Sequence, residues 1–135
     1  MAVFIDTGIF VATRNIDDKN HKRATELMSD ALQGKFGAVY TSDYILDEAI
    51  TVSLVRTRRR DLAVDIGRFI LESPRIEKIM CSMDQLYDAL EKFQKFTDKT
   101  FSFTDCVSLT IIERNGIDYI MSFDSGFDGI VSRIS

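Results

Sequence analysis

Tryptophan is absent from the 135-residue chain, and proline and histidine each occur once. Two cysteines, Cys81 and Cys106, sit beside apolar residues, far apart from each other and from His21. That supply excludes a disulfide framework and offers no zinc-ligand spacing. One proline, seven glycines and no low-complexity tract leave no linker to divide the chain, and no internal repeat is visible. No uninterrupted apolar run approaches the roughly 20 residues that cross a bilayer, and no cleavable apolar leader precedes Asp6. The expectation is a cytoplasmic protein with reduced thiols and no membrane contact. A net charge of −4 argues against an indiscriminate nucleic-acid coat, whose affinity would come from clustered lysine and arginine, but not against an enzyme that grips nucleic acid locally. With 45% hydrophobic residues the chain can bury a sizeable core, and one domain over residues 1–135 is expected.

Apolar runs alternate with helical patterns. "AVFID" is short and rich in Val, Ile and Phe, the pattern of a buried strand, and Asp6 closes it. "TGIFVAT" suits a short helix. In "DDKNHKRATELMSDALQ", Ala24, Leu27, Met28, Ala31 and Leu32 fall at helical spacing, with Gly34 as the stop. "GAVYTS" is the second strand. A helix is predicted from Ser42 to about Arg56, capped by Ser42 or Asp43, and another from Asp61 to Glu72 ahead of Pro74. "RIEKIMCS" is a third strand, "DQLYDALEKFQKF" and "FTDCVSLTIIERNG" are helices, and "DYIMSFD" is a fourth strand. The tail "GIVSRI" is a candidate fifth. Such alternation predicts an α/β fold with a parallel sheet of four to five strands flanked by helices, whose ligands bind beyond the carboxyl ends of the strands near a switch point.

That rule draws attention to certain acids. Asp6 and Asp124 each follow an apolar strand, where an acid can equally serve as a turn residue or helix cap. Glu48 falls three residues after Ile45 and four before Val52, inside an apolar stripe with Ala49 and Val55. A carboxylate facing the core is costly unless it is paired or binds metal, the alternative here being a salt bridge at the stripe's edge. Asp105 shares a helix face with Leu109 and Ile112 and sits in the first turn, where the helix dipole alone would favour it. If the four converge, they repel one another, and some take up protons unless a cation compensates. Oxygen ligands of this hardness suit Mg²⁺ or Mn²⁺.

These residues resemble the PIN domain family, in particular its small VapC-type toxins. The resemblance rests on "FIDTGIF", the helix with Glu48, "SFTDCVSLTIIERNGI" and "IMSFDSGF", and it spans essentially the whole chain in element order. It implies a PIN-like three-layer fold and a ribonuclease that hydrolyses phosphodiester bonds of single-stranded RNA with Mg²⁺ or Mn²⁺. The positions carried over are Asp6, Glu48, Asp105 and Asp124, as catalytic and metal-binding acids. It also implies an antitoxin protein whose arm enters the acidic cleft, and a homodimer. Thr104 and Ser122 fit positions that orient carboxylates or waters, although a helix cap and a strand hydrogen bond are equally ordinary uses for them. Two features depart from the family pattern: Gly8 stands where many relatives carry Ser or Asn, and "SG" at Ser125 and Gly126 replaces an Arg or His before Phe127. Asp128 is expected to be a turn or capping residue.

The cluster Arg56, Arg58, Arg59 and Arg60 could contact substrate phosphates, but such a cluster is more often a solvated helix end, and the same holds for His21, Lys22 and Arg23. Two rival chemistries fit poorly. A haloacid-dehalogenase-like phosphatase needs a second Asp where Gly8 stands, and a response-regulator receiver needs a lysine near its last strands, whereas none follows Lys99. The alternative from another class is a noncatalytic PIN-like module for RNA binding or assembly.

Overall fold

A computed structural model describes residues 1–135. Strands β1 (Ala2–Ile5), β2 (Ala38–Ser42), β3 (Ile76–Ile79), β4 (Tyr119–Met121) and β5 (Ser132–Ile134) form one sheet in the order β3-β2-β1-β4-β5. Every neighbouring pair is parallel. Helices α1 (Thr7–Arg14), α2 (His21–Leu32), α3 (Asp43–Thr57), α4 (Arg60–Glu72), α5 (Met83–Lys95) and α6 (Phe103–Arg114) flank it, in the three-layer arrangement of a PIN-like fold. The short tail does add a fifth strand, pairing Tyr119 with Ser132 and Met121 with Ile134.

The strand order follows from where the chain turns back. From β1 it advances outward to β2 and then β3; after β3 it returns past β1 and lays β4 on the other side. The direction of winding therefore reverses between β1 and β4, and a crevice opens at their carboxyl ends. Burial explains why these strands read as unbroken apolar runs: Val3, Phe4, Ile5, Ile120 and Met121 are all fully enclosed. They belong to a core of 27 buried residues that includes Phe10, Ile45, Ile66, Ile111 and Phe127. Gly37 turns the chain into β2 with φ of 78°, and a Cβ there would lie 1.9 Å from the carbonyl oxygen of Met1, so only glycine fits.

Local chemistry sets several boundaries differently from the sequence expectation. The segment from Asp17 to Asn20 is not helical, because the side chains of Asn15 and Asp18 accept from the backbone N–H groups of Asp17 and Asn20 and hold turns. In α3 the fully buried row is Ile45, Ala49 and Ser53, spaced four apart, while Val55 is 72% exposed and lies outside the stripe assigned to it. Helix α3 closes on Arg58, the one non-glycine residue with positive φ (56°), whose N–H donates to Leu54. Both cysteines are free thiols. No helix is long and apolar enough to cross a membrane.

Candidate active site

The backbone N–H of Asp6 donates to the carbonyl of Met121 at 3.0 Å, so the β1–β4 ladder runs on past the last residues of both strands and sets Asp6 beside Ser122. Ser122 lies in the same crevice and is fully buried. Its Oγ donates to Asp6 Oδ2 at 2.6 Å and accepts from the backbone N–H of Asp124 at 3.0 Å. One hydroxyl thus fixes the carboxylate that follows β1 and the residue that follows β4. The carbonyl of Ser122 is held in turn by Arg133 Nη1 on β5, at 3.1 Å.

Glu48 and Asp105 reach the crevice from α3 and α6. These helices are locked together near their amino ends, where the rings of Tyr44 and Phe103 stand 6.1 Å apart. Thr7, the first residue of α1, donates its hydroxyl to Glu48 Oε1 at 2.5 Å. Asp105 completes a capping box with Ser102: Asp105 Oδ2 accepts from the Ser102 N–H at 2.9 Å, and Ser102 Oγ accepts from the Asp105 N–H at 3.1 Å. Asp124 caps a 3-10 turn (Ser125–Phe127), with Oδ1 accepting from the Gly126 N–H at 2.8 Å. Gly126 has a reason to be glycine: a Cβ there would lie 3.0 Å from Asp124 Oδ1 and 3.4 Å from the Phe101 ring. A glycine that leaves room for the Asp124 carboxylate therefore stands where the family resemblance led one to expect a basic side chain.

All four acids line one cavity of about 300 Å³, together with Thr7, Gly8, Val11, Val52, Arg56, Ser102, Ser122 and Phe123. A larger hollow of about 450 Å³, between the end of α5, α6 and the turn before β5, contains none of them. Electrostatics distinguishes the two. Burial pushes the Asp6 carboxyl up from 3.8 to about 7; the hydrogen bond from Ser122 opposes the rise, and Asp105 and Glu48 add to it. Desolvation outweighs the hydrogen bond because Asp6 is only 8% exposed. Asp105 is also raised, first by burial and then by Glu48 and Asp124, against the pull of the Ser102 N–H.

The donor set fits a hard divalent cation. One oxygen each of Glu48, Asp105 and Asp124, all of which line the cavity, accepts from a protein donor, and the other oxygen of each accepts no hydrogen bond from the protein. As the side chains stand, no group of three or more His, Cys, Asp or Glu residues is disposed to hold an ion alone. That pattern suits Mg²⁺, which keeps several waters and takes one or two carboxylates plus substrate oxygens, better than it suits an all-protein cage.

The other candidates sort cleanly. Thr104 does not line the cavity; Ser102, two residues earlier, does. Asp128 forms a bidentate pair with Arg133, at 2.7 and 3.1 Å, outside the cavity, as expected of a turn residue. His21 binds the carbonyl of Ala12 through Nδ1 at 2.8 Å, a structural contact. Of the arginine cluster only Arg56 reaches the cavity; Arg59 pairs with Asp61. Sequence reasoning passed over Thr7 and Ser102. The Ser-x-x-Asp spacing of Ser102 and Asp105 was a readable signal, whereas nothing local marks Thr7 as the partner of a residue 41 positions away.

Comparison with known proteins identifies the family. The family model for the PIN domain matches residues 3–131. A VapC ribonuclease of Archaeoglobus fulgidus is 31% identical over 128 residues, covering 94% of this chain and 80% of that protein. The 23S rRNA-specific endonuclease VapC20 of Mycobacterium tuberculosis is 25% identical over 125 residues, 93% of this chain and 91% of that one. The crystal structure of M. tuberculosis VapC20, a sarcin-ricin loop cleaving toxin, superposes with a TM-score of 0.82 at 26% identity, over 93% of this chain and 92% of the other. VapBC2 from Rickettsia felis shares the fold at 14% identity, with a TM-score of 0.68 over 99% of this chain and 98% of that one. The chain belongs to the PIN domain family and is homologous to its VapC-type toxin ribonucleases.

Proposed function

We propose that this protein is a divalent-metal-dependent endoribonuclease acting on single-stranded RNA, and that it is the toxin of a VapBC-type pair. The observation that carries the reading is the convergence of Asp6, Glu48, Asp105 and Asp124, from two strand ends and two helices, on one cavity at the switch point of the sheet. The A. fulgidus and M. tuberculosis relatives, a ribonuclease and a 23S rRNA-specific endonuclease, support it.

The cluster of Asp6, Glu48, Asp105 and Asp124 is proposed to hold Mg²⁺ or Mn²⁺ with water and substrate oxygens completing its shell, and the ion would supply Lewis acidity toward a phosphoryl oxygen and lower the pKa of water. The chain's own residues do the rest. Ser122 and Thr7 fix the carboxylates of Asp6 and Glu48, and the capping box fixes Asp105, so little reorientation is left to the moment of reaction. One of the four carboxylates accepts the proton of the attacking water as the new P–O bond forms and the P–O bond to the ribose breaks in line, the departing ribose oxygen taking a proton from solvent water. No covalent intermediate on the protein is required.

An antitoxin protein and a homodimer belong to the same reading. A lone chain would leave the apolar side chains of Met83, Tyr87 and Leu90 on α5 more than half exposed to water, which a second copy could relieve. Sedimentation of the purified protein decides between one copy and two. The activity test uses end-labelled single-stranded RNA, ribosomal RNA first, with purified protein in Mg²⁺ or Mn²⁺. Cleavage should stop in chelator and in Asp124→Asn. Cleavage that persists in excess EDTA would sink the metal mechanism, and RNA binding without cleavage would establish the noncatalytic alternative.

A further inference from the structure

Arg56 is the one basic residue lining the cavity that gathers the four acids. It occupies the last turn of α3. Glu48, Val52 and Arg56 recur every four residues and all three line the cavity, so they form one row along the helix, with Arg56 about 12 Å beyond Glu48 along the axis. Its guanidinium forms no salt bridge with any of the four carboxylates. Arg14, Arg23, Arg59, Arg114 and Arg133 each hold an Asp or Glu; of the arginines that hold none, Arg56 is the one that lines the cavity.

A polyanion entering a cavity of four carboxylates is repelled along the wall unless a cation receives it. A metal at the carboxylates would answer for the phosphate being cut. It leaves unanswered the phosphates on either side, and a planar five-donor group is the chemistry that receives one of them. We propose that Arg56 binds a phosphate of the RNA backbone flanking the scissile one, fixing the strand's register across the site. The proposal rests on the ribonuclease reading and adds a substrate-positioning residue to it. It also gives a basic group to a site that has none between Asp124 and Phe127, where Gly126 leaves room for the Asp124 carboxylate.

A competing explanation is that Arg56 merely offsets the helix dipole at the end of α3. The two differ in what a substitution moves. In an Asp124→Asn background, which should bind RNA without consuming it, Arg56→Gln should weaken binding of a single-stranded oligoribonucleotide about tenfold. It should also reduce the slope of log K against log salt by about 0.7, the signature of one lost phosphate contact on a single strand. Arg56→Lys should keep the slope while losing part of the affinity. In the otherwise native enzyme Arg56→Gln should raise KM and largely preserve kcat. Arg60→Gln is the control, since Arg60 is exposed and does not line the cavity, and it should change neither quantity. Unchanged affinity and slope in Arg56→Gln, or an equal change in Arg60→Gln, would overturn the assignment while leaving the ribonuclease reading intact. If the native protein neither binds nor cuts single-stranded RNA, both fall together.

Discussion

In chelator, Asp6→Asn should make the protein more stable at pH 8 and leave it nearly unchanged at pH 4. The buried carboxyl of Asp6 is pushed from 3.8 to about 7, chiefly by burial, with repulsion from Asp105 and Glu48 adding to the rise and the Ser122 hydrogen bond opposing it. A folded-state pKa above the unfolded one means that the folded protein binds the proton more tightly. Below about 3.8 both states carry it, and its stabilising effect is fully present. As pH rises toward 7 the unfolded chain has released the proton, and stability drains away until the folded state releases it too. At the top of that window the charged carboxylate has cost the fold roughly 4 kcal/mol. Asparagine cannot ionise, and its carbonyl oxygen can still accept from Ser122 Oγ. Because the cavity admits water to the group, roughly 2–4 kcal/mol of this should be recovered at pH 8. Urea denaturation in EDTA at half-unit steps from pH 4 to 8 reads it directly. A midpoint difference that opens with pH to about 1–2 M, at constant m, is the expected result. Native and variant curves that stay parallel from pH 4 to 8 would show that Asp6 is not held in a desolvating, acid-lined site.

Asp124→Asn should abolish cleavage, while Asp128→Asn, which touches only the exposed pair with Arg133, should keep most of it; equal losses in an RNA cleavage assay would mean the site extends further than the cavity. Mn²⁺ should raise the melting temperature of the native protein by more than that of Asp105→Asn, since an ion bound only by the folded state stabilises it in proportion to affinity, and identical shifts would remove Asp105 from the metal. Ser122→Ala deletes the donor that lowers the Asp6 pKa, so the acid limb of the pH–rate profile should move to higher pH, with kcat/KM down about tenfold at pH 7; an unmoved limb would show that the hydroxyl does not tune Asp6.

Elements that bury one continuous run were legible, and those shaped by side-chain caps were not. "AVFI" and "YIM" announced themselves because both faces of a central parallel strand are covered, so no polar alternation interrupts them. The start of α2 was drawn too early because Asp17, Asp18 and Asn20 are tolerable in a helix and better in a turn, a choice made by two side-chain hydrogen bonds. On α3 the periodicity singled out Glu48, which does line the cavity, but also admitted Val55. The helix packs along the narrow row of Ile45, Ala49 and Ser53, and a serine satisfied by the carbonyl of Ile50 does not look like core. Strand order was out of reach, since nothing in the pattern says on which side of β1 the chain will lay β4. The acids could therefore be found one at a time from their neighbours, whereas their meeting depends on a topology that the PIN resemblance, not periodicity, supplied.

The contacts that secure the acids explain why a fold would keep them despite their cost. The Asp6–Ser122 bond joins the ends of β1 and β4, and the Thr7–Glu48 bond joins α1 to α3. Each ties together elements far apart in sequence, with separations of 116 and 41 residues. Removing a carboxylate thus has two opposite effects on stability: it relieves desolvation and repulsion, and it leaves a hydroxyl without its acceptor. Replacement by the matching amide separates them, because an acceptor oxygen stays while the charge goes. If amide variants at Asp6 gain stability as they lose activity, the carboxylates are kept for chemistry and the hydroxyls for aiming them. A purely structural set of acids predicts the reverse, since groups retained for the fold should weaken it when neutralised.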